Sequence, residues 1–290
     1  MSGEQGRSNK DGVADQLSGV GDRAANGERD QDQEHHGDTF EVVEEEERDG
    51  VKKPKRGVYL LPNLITSCAL FSGFYSIIAS LKGLQDPAFL WPAAFSIFVA
   101  MVFDTLDGRV ARLTNTSSSF GEQYDSLADA VSFGVAPAVL AFSWGLHELG
   151  KFGWFIAFIY MACGVLRLAR FNVQIGTVSK KYFIGIPIPA AAALVSGMVW
   201  LSVDTDIQGF PVFVMGGLVA LYAGLMMVSN VQFYSFKELD VSGRVPLRYV
   251  TAFVLLLATI LWNPPLVLFL LFFGYSVSGL VGLVKRRGLK

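Results

Sequence analysis

The stretch that decides the fold runs from Asp104 to Asp129 and reads DTLDGRVARLTNTSSSFGEQYDSLAD. Asp104 and Asp107 are three residues apart, so a helix places them on one face. Asp125 and Asp129 are four apart and also share a helical face. The polar segment between the two pairs, residues 115–119, is typical of a turn. The pattern predicts two antiparallel helices that present two aspartate pairs to each other.

Four carboxylates that meet in an apolar region repel one another and are costly to remove from water. Divalent cations offset that cost, and a site made only of carboxylate oxygens favours a hard ion such as Mg²⁺, Mn²⁺ or Ca²⁺. Two ions bridged by shared carboxylates are a common arrangement for displacement at phosphorus. The alternative is a set of solvated helix-cap and turn carboxylates, which the apolar flanks disfavour.

Small residues accompany the aspartates. Gly108 and Gly121 expose backbone without a side chain, and Ala111 is nearly as small. A flat or charged ligand could therefore lie against the helices at these positions. Arg112 adds one permanent positive charge, which suits a phosphate group.

The motif D-x2-D-G-x2-A-R-x8-G-x3-D-x3-D resembles the signature of the CDP-alcohol phosphatidyltransferases, with every fixed position at the right spacing. The resemblance implies transfer of a phosphatidyl group from CDP-diacylglycerol to an alcohol, with release of CMP. It implies a site for two divalent ions, Mg²⁺ or Mn²⁺ with Ca²⁺ as an alternative, and a base that deprotonates the alcohol. The implied metal ligands are Asp104, Asp107, Asp125 and Asp129; the implied base is Asp129; and the positions that hold CDP-diacylglycerol are Gly108, Ala111, Arg112 and Gly121.

The first 50 residues differ in composition from the rest of the chain. They contain 15 Asp and Glu against 5 Lys and Arg, whereas residues 51–290 contain 11 against 19. Few large apolar residues occur in the first part, so it cannot bury enough surface to offset its chain entropy. We expect residues 1–50 to be a disordered acidic cytoplasmic tail and residues 51–290 to form one membrane-embedded domain.

The remaining chain is dominated by apolar runs, each of about the 17–25 residues that cross a bilayer. The sequence therefore predicts an all-α, polytopic membrane bundle of about eight transmembrane helices. The predicted spans are 62–81, 89–113, 119–145, 152–173, 187–203, 209–230, 247–262 and 265–284, the last two joined by a tight hairpin at Asn263-Pro264-Pro265.

Charges and tryptophans predict the orientation of these spans. With the N-terminus inside, 17 Lys and Arg fall at cytoplasmic ends and only Lys82 and Lys151 at outer ends. All five tryptophans fall near outer ends, as an interfacial belt requires. We expect an integral protein of the cytoplasmic (inner) membrane, with both termini and the aspartate motif on the cytoplasmic side.

Two further runs carry a narrower resemblance. LRLARFN (166–172) contains Arg167 and Arg170 on one side of a helix, either as plain anchors or as ligands for a phosphate or an acceptor carboxylate. GIPIPAA (185–191) opens the next predicted helix with prolines, which suit a helix start. With Pro62–Thr66 and Tyr234–Lys237, these runs are similar to those of integral-membrane phosphatidylserine synthases. That resemblance implies L-serine as acceptor and a homodimer, with no nucleic-acid partner.

Other functions are compatible with parts of the pattern. Glycerol 3-phosphate, inositol or an inositol phosphate are alternative acceptors, since Arg167, Arg170 and Lys181 could bind an extra phosphate. A membrane transporter of ions or metabolites is a more distant alternative, because intramembrane carboxylates also serve ion paths. It would not need glycine and alanine at the motif spacing, and no inverted repeat is evident.

Overall fold

The computed structural model describes residues 43–48, 51–56, 60–114, 118–173, 182–234 and 247–287, so residues 1–42 of the predicted tail lie outside it. Helices make up most of the described chain. They are α1 (Leu60–Gly83), α2 (Leu90–Leu113), α3 (Ser119–Asp129), α4 (Ala136–Trp144), α5 (Lys151–Val173), α6 (Ile188–Asp204), α7 (Phe210–Val228), α8 (Leu247–Trp262) and α9 (Pro264–Arg287).

The predicted membrane bundle is confirmed. Six segments of the described chain are long and apolar enough to cross a bilayer. They are Leu60–Gly83, Pro87–Leu113, Ser119–Trp144, Lys151–Val173, Phe210–Val228 and Pro264–Gly282. The two other predicted spans correspond to shorter apolar helices, Ile188–Asp204 and Val250–Trp262. Large apolar side chains such as Phe71, Phe155 and Leu218 remain exposed on the bundle surface, where lipid would cover them.

Side-chain caps set several helix starts. Asp86 accepts a hydrogen bond from the Ala88 N–H (3.0 Å) at a short 3₁₀ turn that leads into α2. Ser118 accepts one from the Gly121 N–H (3.0 Å) at the start of α3. Asn263 Oδ1 accepts one from the Leu266 N–H (3.2 Å), which forms the predicted hairpin between α8 and α9. Each cap satisfies an N–H that the first helical turn leaves without a partner.

Helix α6 lies at the centre of the bundle and packs against α2, α7 and α9. Its residues 190–195 are all buried, and four of them are alanines. Such small side chains let neighbouring helices approach closely, which is how membrane helices gain packing energy. At Gly197, an added Cβ would lie 3.2 Å from the Cα of Phe269 in α9, so this crossing depends on glycine.

The third predicted span is not one uniform helix. Between α3 and α4, residues Ala130–Val135 form a π-helical segment in which the Ala136 N–H donates to the Val131 carbonyl, five residues back. Pro137 follows immediately in the first turn of α4. A proline ring clashes with the carbonyl four residues earlier in an α-helix, and widening the helix relieves that clash.

Two short antiparallel strand pairs accompany the helices. Strand β3 (Tyr182–Ile184) pairs with β4 (Gln232–Tyr234) and so connects the start of α6 with the end of α7. Strand β1 (Val43–Arg48) pairs with β2 (Val51–Arg56), with Glu46 opposite Lys53 in the backbone register. Extended segments pair in this way because their main-chain N–H and C=O groups need partners.

Candidate active site

The aspartate motif lies where the end of α2 meets the start of α3. A cavity of about 460 Å³ opens there, bounded also by the start of α1 and the end of α5. A cavity of this size is within the range of small-ligand sites. Its lining comprises Pro62, Asn63, Thr66, Asp107, Gly108, Ala111, Arg112, Ser118, Gly121, Glu122, Asp125, Ser126, Phe171 and Asn172.

Three of the predicted metal ligands converge at this cavity. One carboxylate oxygen from each of Asp104, Asp107 and Asp125 lies within 4.8 Å of the others. Asp107 is only 5% exposed, and Thr66 Oγ1 donates a hydrogen bond of 2.7 Å to its Oδ2. That bond fixes the orientation of one ligand from the neighbouring helix α1. Three converging carboxylates, one of them buried and two partly buried, form a donor set that fits a hard divalent cation.

The fourth aspartate lies beside this group. Asp129 ends α3, and its carboxyl group forms a hydrogen bond with that of Asp104. Two carboxyl groups in that contact require either a shared proton or a cation that neutralises them. The spacing argument therefore correctly predicted that both aspartate pairs meet in space.

The small residues of the motif lie at the same cavity. Gly108, Ala111 and Gly121 all line the cavity, and an added Cβ at Gly108 would have no atom within 4 Å. At Gly121, an added Cβ would come within 3.1 Å of the Ser118 Oγ that caps the helix. Arg112 lines the same cavity from the last turn of α2, with its side chain exposed. The site thus combines open backbone with an exposed positive charge at its rim.

The two arginines of the LRLARFN run have different environments. Arg167 is only 9% exposed, its Nε is buried without a hydrogen-bond partner among the described residues, and Asp129 lies close enough to attract it. Arg170 instead donates a hydrogen bond of 2.9 Å from Nη2 to Asn230 Oδ1. Neither arginine is part of the cavity lining. Their spacing placed both arginines on one side of a helix. It could not show which neighbouring helix each side chain would meet.

Sequence reasoning missed several polar residues of the site. Thr66 holds Asp107, and Asn172 exchanges a hydrogen bond of 3.2 Å with Ser126 across the cavity wall. Tyr275 of α9 is close enough to Arg167 to interact with it electrostatically. The Pro62–Thr66 and LRLARFN runs were a usable signal for Thr66 and Asn172, whereas nothing in the sequence around Tyr275 indicated a site.

A polytopic membrane protein with a carboxylate cluster beside an open, glycine-lined cavity has the architecture expected of a lipid-modifying phosphotransfer enzyme. Comparison with protein families gives the particular class: the family model for CDP-alcohol phosphatidyltransferase matches residues 59–233. The chain therefore belongs to the CDP-alcohol phosphatidyltransferase family. The match ends before α8, so the C-terminal hairpin lies outside it.

Several proteins with curated names are similar to this chain. The chain is 39% identical over 186 residues to a "CDP-diacylglycerol--serine O-phosphatidyltransferase" of Helicobacter pylori (strain J99), covering 64% of this chain and 76% of that protein. A protein of the same name from Saccharomyces cerevisiae is 46% identical over 149 residues, covering 48% and 53%. An "Archaetidylserine synthase" of Methanothermobacter thermautotrophicus is 33% identical over 175 residues, covering 60% and 69%.

Proposed function

We propose that this protein is a phosphatidylserine synthase, which transfers the phosphatidyl group of CDP-diacylglycerol to the hydroxyl of L-serine and releases CMP. The observation that carries the reaction type is the convergence of Asp104, Asp107 and Asp125 beside a cavity lined by the small residues of the motif. The names of the relatives support serine as acceptor, in agreement with the expectation from the sequence.

The acidic cluster fits a divalent metal, and two Mg²⁺ or Mn²⁺ ions, with Ca²⁺ as the alternative, are the proposed occupants. Asp104, Asp107 and Asp125 would be the principal ligands, with Asp129 beside them. Bound metal neutralises charge on the diphosphate and so favours departure of the CMP leaving group.

The protein's own residues would bind and orient the substrates. Gly108 and Gly121 let the cytidine diphosphate portion approach the backbone of α2 and α3 closely, beside Ala111. Arg112 lines the same cavity with an exposed side chain, which would bind a phosphate. The acyl chains would leave between helices into the bilayer.

Asp129 is the proposed general base. It would take the proton of the serine hydroxyl while that oxygen attacks the phosphorus of the phosphatidyl group and the bond to CMP breaks. Arg167 is the stronger candidate for the serine carboxylate, because it is buried, Asp129 is close enough to attract it, and its Nε has no hydrogen-bond partner in the part of the chain that the structure describes. Arg170 already has Asn230 as a partner.

The cellular setting is part of the proposal. The membrane-spanning helices make this an integral membrane protein. Placement in the inner membrane with the motif on the cytoplasmic side is supported by the distribution of Lys and Arg along the sequence. A homodimer is proposed from the family resemblance.

An acceptor screen tests the function. The purified protein in detergent, with Mg²⁺ or Mn²⁺, is given labelled CDP-diacylglycerol and either serine, glycerol 3-phosphate, inositol or inositol phosphate. Formation of phosphatidylserine and CMP from serine alone is the expected result. Product from another acceptor and none from serine overturns the serine assignment, and no CMP with any acceptor favours the transporter alternative. A parallel arm with the ether-linked CDP-lipid reports which lipid backbone the enzyme accepts.

A further inference from the structure

The π-helical segment Ala130–Val135 begins directly after Asp129, the proposed base. In an uninterrupted α-helix, Phe133 would lie on the same face as Asp129, one turn further along. One extra residue in the turn rotates everything beyond it by about 100° relative to what precedes it. The segment therefore allows Asp125 and Asp129 to face the site while the residues that follow pack into the bundle.

Pro137 explains why the helix widens at this point. Its ring would clash with the Phe133 carbonyl four residues earlier, and it has no N–H with which to bond that carbonyl. A buried carbonyl without a donor is unfavourable. Tyr160 of α5 resolves this, because its hydroxyl donates a hydrogen bond of 3.1 Å to the Phe133 carbonyl. Both side chains are 1% exposed, so water does not compete for the bond.

A second anchor holds the same segment from the other side. Ser132 Oγ donates to the Ala69 carbonyl of α1 at 3.2 Å, and Gly73 leaves no room for a Cβ against Ser132. The π-helical segment is thus fixed between α1 and α5. The bond from Tyr160 gives the Phe133 carbonyl a donor in place of the N–H that Pro137 lacks.

We propose that Tyr160 is a positioning residue of the active site, whose hydroxyl holds the π-helical segment that orients the Asp129 carboxylate. The inference rests on the proposed role of Asp129 as base. Tyr160 lies at the buried side of the segment, away from the cavity lining, and acts through Asp129.

The test is the Tyr160→Phe variant, which keeps the ring and removes the hydroxyl. We expect kcat to fall roughly ten-fold, since small misplacements of a reacting group have effects of ten- to a hundred-fold. The KM for CDP-diacylglycerol and the metal concentration dependence should stay within about two-fold of wild type, because the three principal metal ligands and the residues proposed to bind CDP-diacylglycerol are unchanged. Tyr222→Phe is the matched control: it removes a buried hydroxyl that has no hydrogen-bond partner among the described residues, so its kcat should remain at the wild-type level.

Pro137→Ala sharpens the test. It restores an N–H at position 137 that can bond the Phe133 carbonyl, so Tyr160→Phe should lower kcat less in this background than in the wild-type background. The inference is overturned if Tyr160→Phe lowers kcat equally in both backgrounds, or if its kcat equals that of Tyr222→Phe. It is also overturned if the loss of kcat comes with equal changes in the KM values for CDP-diacylglycerol and for serine. If serine fails as acceptor, the same comparison is made with the acceptor that is used, which separates this inference from the serine assignment. If Asp129→Asn keeps full turnover, the base assignment fails, and a selective kcat loss in Tyr160→Phe then has to be explained through another residue.

Discussion

The two ends of the helical bundle bury different kinds of polar group in the part of the chain that the structure describes. At the end opposite the motif the buried polar groups are neutral, and some of them bond one another: Trp144 Nε1 donates to Ser202 Oγ (3.2 Å), and Ser202 Oγ donates to the Ile207 carbonyl (2.6 Å). At the motif end, like charges converge instead, and the Arg167 Nε has no hydrogen-bond partner among the described residues. Unfavourable local arrangements of this kind persist where a ligand completes them. We therefore expect substitutions at the motif end to change activity and substitutions at the opposite end to change the stability of the fold.

The largest effect should come from breaking the carboxylate cluster. Asp104→Asn, Asp107→Asn or Asp125→Asn removes one anionic oxygen from the group of three, which should lower turnover by roughly 10²-fold or more because charge on the leaving group is no longer neutralised. CMP release, measured across a range of Mn²⁺ concentrations, should show a weakened metal dependence. Wild-type turnover in any of the three at low metal would contradict the assignment of that residue as a principal ligand.

Asp129→Asn should also abolish turnover, by roughly 10²-fold or more, but through a different step. Because Asp129 lies beside the group of three, CDP-diacylglycerol binding should be better preserved than in the other three variants. Binding of the substrate to each purified variant, compared with its rate of CMP release, separates the two roles. Near-normal turnover of Asp129→Asn at neutral pH shows that another group is the base.

A smaller, selective effect is expected at the two arginines. Loss of a charge-assisted hydrogen bond to a carboxylate is worth about 1.5–3 kcal/mol, so Arg167→Gln should raise the serine KM by roughly ten- to a hundred-fold. Arg170→Gln is the matched control, since it loses only the bond to Asn230, and should leave the serine KM within a few-fold. Should Arg167→Gln change the KM for CDP-diacylglycerol and not that for serine, Arg167 binds the lipid phosphate.

Gly108→Ala should affect substrate and stability in opposite directions. The new methyl group meets no protein atom within 4 Å, so the fold should gain roughly 0.5–1 kcal/mol of helix stability. The same methyl projects into the space proposed for CDP-diacylglycerol, whose KM should rise several-fold. Gly274→Ala in α9 provides the control, because it has the same open surroundings without the cavity. Equal KM values in the two variants would place the ligand elsewhere.

The smallest catalytic effect is expected at the opposite end. Ser202→Ala removes the partner of both the Trp144 N–H and the Ile207 carbonyl, at a cost of about 1–3 kcal/mol in stability. Thermal unfolding in detergent should therefore occur at lower temperature, while kcat and both KM values stay at wild type. A change in kcat without a change in unfolding would mean that the two ends are coupled.

Much of the fold followed from the sequence. Eight apolar runs correspond to helices because hydrocarbon leaves a spanning backbone no other way to bond its polar groups. The turn at Asn263-Pro264-Pro265 was predictable from local chemistry alone. Strands β3 and β4 were not predicted, because their pairing depends on where α6 and α7 end in space.

Some features of the candidate site were likewise predictable from the sequence, and others were not. Helical spacing was enough to bring three of the aspartates together, since the two pairs lie on helices that follow each other in the chain. The bond from Thr66 to Asp107 spans 41 residues, and local spacing carries no information about it. Pro137, eight residues after Asp129, indicates in the sequence that the helix is disturbed near this point. That the disturbance is a π-helical segment follows only from its contacts with α1 and α5.

The connection between β3 and β4 has a consequence for how this sequence can diverge. Its bonds join main-chain atoms, as do the bonds from the Gly185 N–H to the Val231 carbonyl (2.8 Å) and from the Ile186 N–H to the Met226 carbonyl (3.1 Å). Side chains are not needed for such bonds, so the backbone link between α6 and α7 does not itself select residue types. Gly185, directly after β3, is different, because its φ of 77° and the nearby Met227 carbonyl both exclude a side chain. Evolutionary drift here should therefore be limited by backbone conformation at Gly185 and by packing at Phe233, which is 1% exposed.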